Sequence, residues 1–347
     1  MYMRFNMTRF WYSHSLHFIT LFLLPFSWLF YLIVIIRRFL YRFGILKTHH
    51  FSVPIIVVGN ITVGGTGKTP LVIELAHILQ EQGYRPGIVS RGIGGKKHQQ
   101  PHWVQLSDTA EEVGDEAILL LKNAACPVVI GVDRVAAVQY LLQQSSSNVV
   151  ISDDGLQHYR LGRAIEIAVV DGQRYFGNQC MLPMGPLREP IARLRQVDYV
   201  VINGNADTTS LQQRLTKVTS IYSMVLQPIE WVSLQNEQTK LQLAAFSGKK
   251  IHAVAAIGHP ERFFQILNQY VFDMIPHIFP DHYIYQMADL NFTDSLPIVM
   301  TEKDAVKCLP IQDQRYWYLK VGVKLDKQFQ TDLLMRLSII PYRTTIS

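Results

Sequence analysis

PIIVVGNITVGGTGKTP, residues 54–70, is the stretch on which the reading of this chain turns. Ile55 to Val58 is a short apolar, β-rich run, a glycine-rich segment follows, and Leu71 to Gln80 carries its apolar residues at helical spacing. The order predicts strand, loop, helix. That is the context in which a glycine-rich loop grips phosphate: successive backbone N–H groups converge on the β-phosphate and the helix N-terminus adds partial positive charge. Lys68 would reach the β and γ oxygens and the Thr69 hydroxyl would ligate Mg²⁺. The nucleotide-binding candidates are Thr62, Val63, Gly64, Gly65, Thr66, Gly67, Lys68 and Thr69. In the usual spacing a glycine stands where this chain has Thr62, and the nearest one upstream is Gly59. A plain glycine-rich turn explains Gly64 and Gly65, but it explains Gly-Lys-Thr after a strand poorly.

A second signal is VVISDDGLQH, Val149 to His158. An apolar strand ending in two acids has the form of a Walker B element, whose carboxylate holds Mg²⁺ beside the phosphate loop. Adjacent ionised carboxylates repel, which a divalent cation relieves, so Asp153 and Asp154 are metal candidates. A solvated turn is the innocent alternative.

The remaining candidates are weaker. Arg91 follows the strand Gly87 to Ser90 and is placed either to meet an anion or to pair with a surface carboxylate. Asp115 opens a helical pattern, where an acid is most often a cap. Leu182 to Arg195, LPMGPLREPIARLR, is a proline-broken basic loop that suits a phosphorylated substrate or a solvated helix start equally. His282, in FPDHY, has no role that spacing assigns.

Further strands are expected at Pro127 to Val132, Glu166 to Val170 and Asp198 to Ile202, with a helix from Asp133 to Gln143. A second α/β unit follows, with strands at Lys250 to Ile257 and Leu296 to Met300 flanking a helix at Glu261 to Gln269. The expected fold is a P-loop, doubly wound, mostly parallel α/β sheet with a smaller second α/β domain and an N-terminal membrane helix. Its divisions are an anchor with basic flank at 1–48, a nucleotide-binding core at 49–207, a linker with a small β-ribbon at 208–243 and a C-terminal domain at 244–347.

Leu16 to Ile36 contains no formally charged residue and would span about 31 Å as a helix, roughly a bilayer's hydrocarbon thickness. Its apolar residues favour insertion by on the order of 5 kcal/mol, an upper bound. Pro25 is expected to kink it, which leaves an oblique, half-inserted anchor as a rival to full spanning. Arg37, Arg38, Arg42 and Lys47 outnumber Arg4 and Arg9, placing the following chain on the cytoplasmic side. The run is too long for a cleaved signal peptide, and no small-residue cleavage site follows it.

The net charge of +6 favours an anionic partner without choosing among nucleic acid, lipid headgroups and phosphorylated substrates. Neither a nucleic-acid module nor an aromatic-interleaved basic stripe is recognisable. Cys126, Cys180 and Cys308 are widely spaced and odd in number, which points away from a disulfide framework or zinc site and towards a reducing compartment.

Several stretches together resemble the tetraacyldisaccharide 4′-kinases of lipid A synthesis. They are VVGNITVGGTGKTP (Val57 to Pro70), VSRGIGG (Val89 to Gly95), GDE (Gly114 to Glu116), SDDGLQHYRL (Ser152 to Leu161), LPMGPLRE (Leu182 to Glu189), AAIGHPERFF (Ala255 to Phe264), FPDH (Phe279 to His282) and TEKDAVKC (Thr301 to Cys308). The family's loop has a GNxxxGGxGKTP form, which accounts for Thr62. Ile93 stands where the family usually has an aromatic. The resemblance implies an ATP- and Mg²⁺-dependent kinase that phosphorylates the 4′-hydroxyl of an acylated glucosamine disaccharide 1-phosphate at the cytoplasmic face of the bacterial inner membrane. It further implies that Asp115 is the base with His282 in support, that Lys68 and Thr69 hold the nucleotide phosphates and that Asp153 and Asp154 organise Mg²⁺. Arg91, Gln157, His158 and Arg188 are implied around the site, and a monomer is expected.

Two other classes compete. A membrane-tethered P-loop GTPase or metallochaperone would want an NKxD-type motif, and VINGN at Val201 to Asn205 lacks its Lys and Asp. A non-catalytic nucleotide-binding scaffold would have no use for Asp115 together with the paired acids.

Overall fold

The IIVVG run forms strand β1 (Ile55–Gly59), buried along its whole length. It lies in a computed structural model that describes residues 10–12, 21–96, 100–204, 220–271, 273–308 and 311–340. The expected α/β class holds, with mostly parallel strands. Contacts group the described residues into two compact units, one from 1–68, 148–225 and 325–347, the other from 69–147 and 226–324.

In the first unit β1 pairs in parallel with β5 (Val149–Ser152) on one side and β6 (Ile165–Asp171) on the other. Next come β7 (Tyr199–Asn203) and the first half of β8 (Ser220–Ser233), also parallel. The strands are apolar and nearly continuous because parallel strands are covered on both faces. With Val57 opposite Ser152, the chain leaves β5 into Asp153-Asp154 beside the point where it leaves β1 into the glycine-rich loop. Strand order diverges at β1, with β5 on one side and β6 on the other, and in open α/β sheets ligands bind outside the carboxyl ends of the strands at such a point. Gly59 is required by this packing, since a Cβ there would stand 2.5 Å from Leu156 Cβ.

Two longer helices belong to this unit. Helix α9 (Lys327–Ile339) buries Phe329 edge-on between Tyr199 and Tyr222, at ring-centre distances of 5.5 and 5.2 Å. Helix α1 (Leu24–Arg42) is long and apolar enough to cross a membrane, and it exposes Trp28, Leu29, Leu32, Ile33 and Ile36. One of its residues is buried: Ser27 Oγ donates to Met181 O at 2.8 Å. Pro25 lies in the first turn of α1, where a missing N–H leaves no helical hydrogen bond unmade, and a turn at 22–23 precedes it; most of the expected run on its N-terminal side lies outside the described residues. Residues 16–20 of the expected apolar run, Arg4, Arg9 and residues 205–219 lie outside the described residues.

The second unit contains helix α2 (Lys68–Glu81) from Thr69 onward, and strand β2 (Pro86–Ser90), which is parallel to β4 (Val128–Ile130). Strand β3 (His102–Trp103) runs antiparallel to β4. Between them lie α3 (Ala110–Val113) and α4 (Asp115–Ala124), and α5 (Arg134–Gln144) follows, capped by Asp133. Further along, β10 (Lys250–Ala255) sits between β11 (Asp273–Ile278) and β12 (Ile298–Thr301), and β12 pairs with β13 (Tyr316–Leu325), all in parallel. Alternate residues of β10 and β12 feed two cores: Ile251, Ala253, Ala255 and Val299 pack with Trp231 and Phe263, while Val254, Ile298 and Met300 pack with Leu290 and Tyr316. The second half of β8 forms a short ribbon with β9 (Lys240–Leu241). Helix α6 (Pro260–Leu267) follows β10, α7 (Met287–Leu290) lies between β11 and β12, and α8 (Glu302–Ala305) follows β12 directly.

Emptying the site of Phe329 removes a buried ring from between two others. Phe329→Ala should destabilise the protein by about 3–5 kcal/mol, seen as a lowered urea midpoint in circular dichroism. An unchanged midpoint would show that α9 does not hold the first unit together.

Candidate active site

The glycine-rich loop is built from the backbone outward. Gly64 and Gly67 have φ of +110° and +91°, a region costly for side chains bearing a Cβ. A Cβ on Gly67 would also meet Asn203 Nδ2 at 2.2 Å, whereas one on Gly64 or Gly65 would meet nothing within 4 Å. That open face suits the close approach of phosphate oxygens. Asn203 Nδ2 donates to Thr66 O at 2.9 Å, and Val63 N to Pro186 O at 2.8 Å. Thr62 bridges to Leu187, and Arg188 N donates to Ile61 O at 2.7 Å, so the LPMGPLRE segment braces the loop from outside. Thr66 Oγ1 is buried with no hydrogen-bond partner among the described residues.

This bracing brings three charges together. Lys68 Nζ lies 3.5 Å from Asp154 Oδ1 and donates to Asn60 Oδ1 at 3.3 Å, and Arg188 approaches Asp154 Oδ2 at 3.1 Å. Gln157 Nε2 donates to Asn60 O at 2.9 Å, which ties the paired-acid turn to the loop. Asp153 is buried, and Asp154 holds a φ of +48°. His158 is half-buried; its N–H donates to Gly155 O and its carbonyl accepts from Arg163. Among the described residues no group of three or more His, Cys, Asp or Glu forms a metal cage. The two carboxylates are hard oxygen donors of the kind Mg²⁺ accepts when phosphates and water complete its shell.

Asp115 and His282, 167 residues apart, meet in the second unit. His282 Nδ1–H donates to both carboxylate oxygens of Asp115, at 3.1 and 3.0 Å. Asp115 is not the helix cap: Gly114, with φ +91°, holds the cap position and Asp115 is the first residue of α4. Its Oδ1 also accepts the Glu116 N–H at 2.8 Å. The Arg91 to Gly95 loop shapes this corner. A Cβ on Gly114 would lie 2.4 Å from Ile93 O, and one on Gly94 would lie 3.3 Å from His282 Nδ1. Arg91 itself is exposed. The pair lines a cavity of about 510 Å³ that Leu106, Thr109, Ile118, Ile284 and Lys307 help to wall.

Burial pushes the Asp115 carboxyl up, but the hydrogen bond from His282 and the charges of Lys303, His282 and Lys307 together hold it below the usual carboxylate range. The hydrogen bond to Asp115 raises His282 above its ordinary 6.5, against burial and Lys303. An ionised carboxylate tied to an imidazole at one wall of a cavity can receive a proton from a hydroxyl seated there.

Sequence reading missed three contributors. Asn60 and Asn203, both buried, hold the phosphate loop from its two flanks. VINGN was weighed only as a base-reading motif, and its position at the carboxyl end of a strand beside the loop was the available signal. Lys303, in TEKDAVKC, comes within 3.9 Å of Asp115, and no spacing rule pointed to it.

The sequence profile of the tetraacyldisaccharide-1-P 4′-kinase family matches residues 19–338. A protein of Nitrosococcus oceani named tetraacyldisaccharide 4′-kinase is 46% identical over 331 residues, 95% of this chain and 93% of that one. A protein of the same name from Legionella pneumophila is 45% identical over 329 residues, 94% and 96% of the two chains. Among solved structures, an "apo" form LpxK from Aquifex aeolicus in complex with ATP superposes with a TM-score of 0.76 at 28% identity, covering 92% of this chain and 99% of that one.

The coupling of the two side chains has a direct spectroscopic consequence. In Asp115→Asn the hydrogen bond that raises His282 is weakened while burial and Lys303 still lower it. The ring should therefore titrate from above 6.5 in the native protein to below it in the variant, followed by NMR of the His282 ring protons. An unmoved midpoint would show that the carboxylate does not govern the imidazole.

Proposed function

The chain belongs to the tetraacyldisaccharide-1-P 4′-kinase family, and from that premise we propose that it transfers the γ-phosphate of ATP to the 4′-hydroxyl of a tetraacyl glucosamine disaccharide 1-phosphate. The observation that carries this reading is the Asp115–His282 pair in the wall of its cavity. The hydroxyl to be phosphorylated has to be seated where that carboxylate can reach it. Asp115 takes the proton, and His282 orients the carboxylate and shares the charge.

Phosphoryl transfer needs mostly positioning and charge neutralisation. The amides of Thr62 to Gly67 and the Lys68 ammonium supply both for the β- and γ-phosphates. Lys68, released from Asp154, follows the phosphate it neutralises. We assign Thr69, Asp153 and Asp154 to Mg²⁺, which when bound neutralises charge on the β- and γ-oxygens. Arg188 and Gln157 fix the paired acids and the loop against each other, and Arg91 and His158 are assigned to the surroundings of the substrate. Residues 49–207 carry the nucleotide side of the reaction in this reading, and 244–347 bring His282.

An acceptor dissolved in a bilayer is reached best by an enzyme held at that surface. The exposed apolar side chains of α1, with Trp28 and Tyr31 suited to the interface and Arg37 to Lys47 drawn to anionic headgroups, support attachment at the cytoplasmic face of the bacterial inner membrane. The protein works there as a monomer.

The test is transfer of ³²P from ATP to the tetraacyl disaccharide 1-phosphate in detergent micelles. The native enzyme should label the lipid in a magnesium-dependent way, and Lys68→Met should not. Asp115→Ala should lose about 10²- to 10⁴-fold in kcat, the range for removing a general base, and His282→Ala less. Full kcat in either dyad variant would overturn the assignment of the base.

A further inference from the structure

The stretch TEKDAVKC contributes two lysines that the reaction as described leaves unused. Lys303 lies in α8 and Lys307 just beyond it, so both side chains leave the same side of one short helical segment. Their Nζ atoms stand 3.9 and 4.0 Å from the same oxygen of Asp115, Oδ2. Neither is free to wander. Lys303 is held by Glu116 at 3.2 Å and Asp281 at 3.5 Å. Lys307, 6% exposed, is held at 2.7 Å by Asp304 Oδ1, and the other oxygen of Asp304 accepts from Thr301 Oγ1 and from Ala256 N.

We infer that Lys303 and Lys307 are positioning residues: a two-lysine clamp that fixes the buried Asp115 carboxylate and balances its charge while the Asp115–His282 pair receives the proton. The inference rests on Asp115 being the base. Asp115 is 3% exposed, and a carboxylate that far from water keeps its charge only beside fixed cations. His282 supplies one cation only while it is protonated, and a proton-accepting pair spends part of its cycle unprotonated. Lys303 is a cation that does not titrate away, because burial is outweighed there by Glu116, Asp115 and Asp281, which keep it charged; the Lys307 ammonium stands 4.0 Å from the same carboxylate. Outside this group, Asp108, Glu111 and Lys122 line the rest of the cavity, with the acids in excess, so they do not replace the clamp.

The sign of the effect does not depend on which member of the pair is titrated. A cation beside the pair lowers the proton affinity of both groups, so removing it raises both. The acid limb of the pH profile of kcat/KM should therefore move to higher pH in Lys303→Met, by about one unit, as expected for one charge within about 4 Å. At a pH below both limbs that is a loss of about tenfold, and on the alkaline plateau the activity should return to near the native value. Lys303→Arg should leave the limb in place. Lys307→Met alone would strand the buried Asp304, so the second lysine is tested as Asp304→Asn/Lys307→Met, with an upward shift smaller than that of Lys303→Met expected because an anion leaves with the cation.

The measurement is ³²P transfer by the full-length enzyme in micelles across the pH range, with circular dichroism on each variant. Loss at every pH with the limb unmoved, or no change at all, overturns the clamp, provided Asp115→Asn is inactive in the same assay. An active Asp115→Asn enzyme overturns the base assignment and the clamp with it.

Discussion

The parallel pairing of β1 with β5 is the constraint on which the nucleotide side depends. Because Val57 stands opposite Ser152, two chain segments separated by nearly a hundred residues turn out of the sheet side by side. One turns into amides and Lys68, the other into Asp153 and Asp154. A slip of one residue would send β5's buried side chains to the opposite face and carry the acids away from the loop. Gly59 sets the closeness of the approach, since Leu156 occupies the space a Cβ would need. In this frame Asp154 serves Lys68 and Arg188 as a counter-charge, and in the proposed reaction a phosphate chain at the loop competes for the same cations.

The side proposed to face the acceptor obeys a different constraint, which is the burial of a charge. Asp115 opens α4, where the helix N-terminus favours an anion, yet its surroundings leave almost no water to solvate it. The glycines of the Arg91 to Gly95 loop and Gly114 let the backbone close in until His282 has one place to stand. What solvates the carboxylate is then protein: an imidazole, a backbone N–H and two ammonium groups. That arrangement draws on α4, on the loop after β11 and on α8, which explains why no single segment of sequence carries it.

These two constraints also explain what could be read from the sequence. The strands around the phosphate loop and the Asp153-Asp154 turn were legible because they are local: apolar runs of strand length ending in glycines or acids. β1 and β2 match their expected limits to within a residue. The family to which the chain belongs was legible from motifs spread along its length. Asp115 and His282 were not legible from spacing, since their partnership is a contact across 167 residues. Asn203 escaped for a related reason: it was read for a motif it does not complete, while its work is to hold the carbonyl of Thr66.

A base that is held ionised is also a weaker base, and the site has to reconcile the two. With Asp115 as the proposed base, each cation near it secures its charge and lowers its affinity for the proton it takes. Phosphoryl transfer tolerates this because its transition state is loose: the bond to the departing phosphate oxygen is largely broken before the attacking oxygen has formed much of its own. The hydroxyl therefore stays close to neutral until late, and little of the barrier is proton abstraction. What counts until then is that the acceptor oxygen points at phosphorus, and an ionised carboxylate fixed in place aligns a hydroxyl by accepting its hydrogen bond. In the proposed reaction the Nδ1–H of His282, hydrogen-bonded to both Asp115 oxygens, keeps the carboxylate aligned while it takes the proton. A strong, loosely held base would reverse these priorities, and the density of contacts around Asp115 fits the proposed reaction, in which position matters more than basicity.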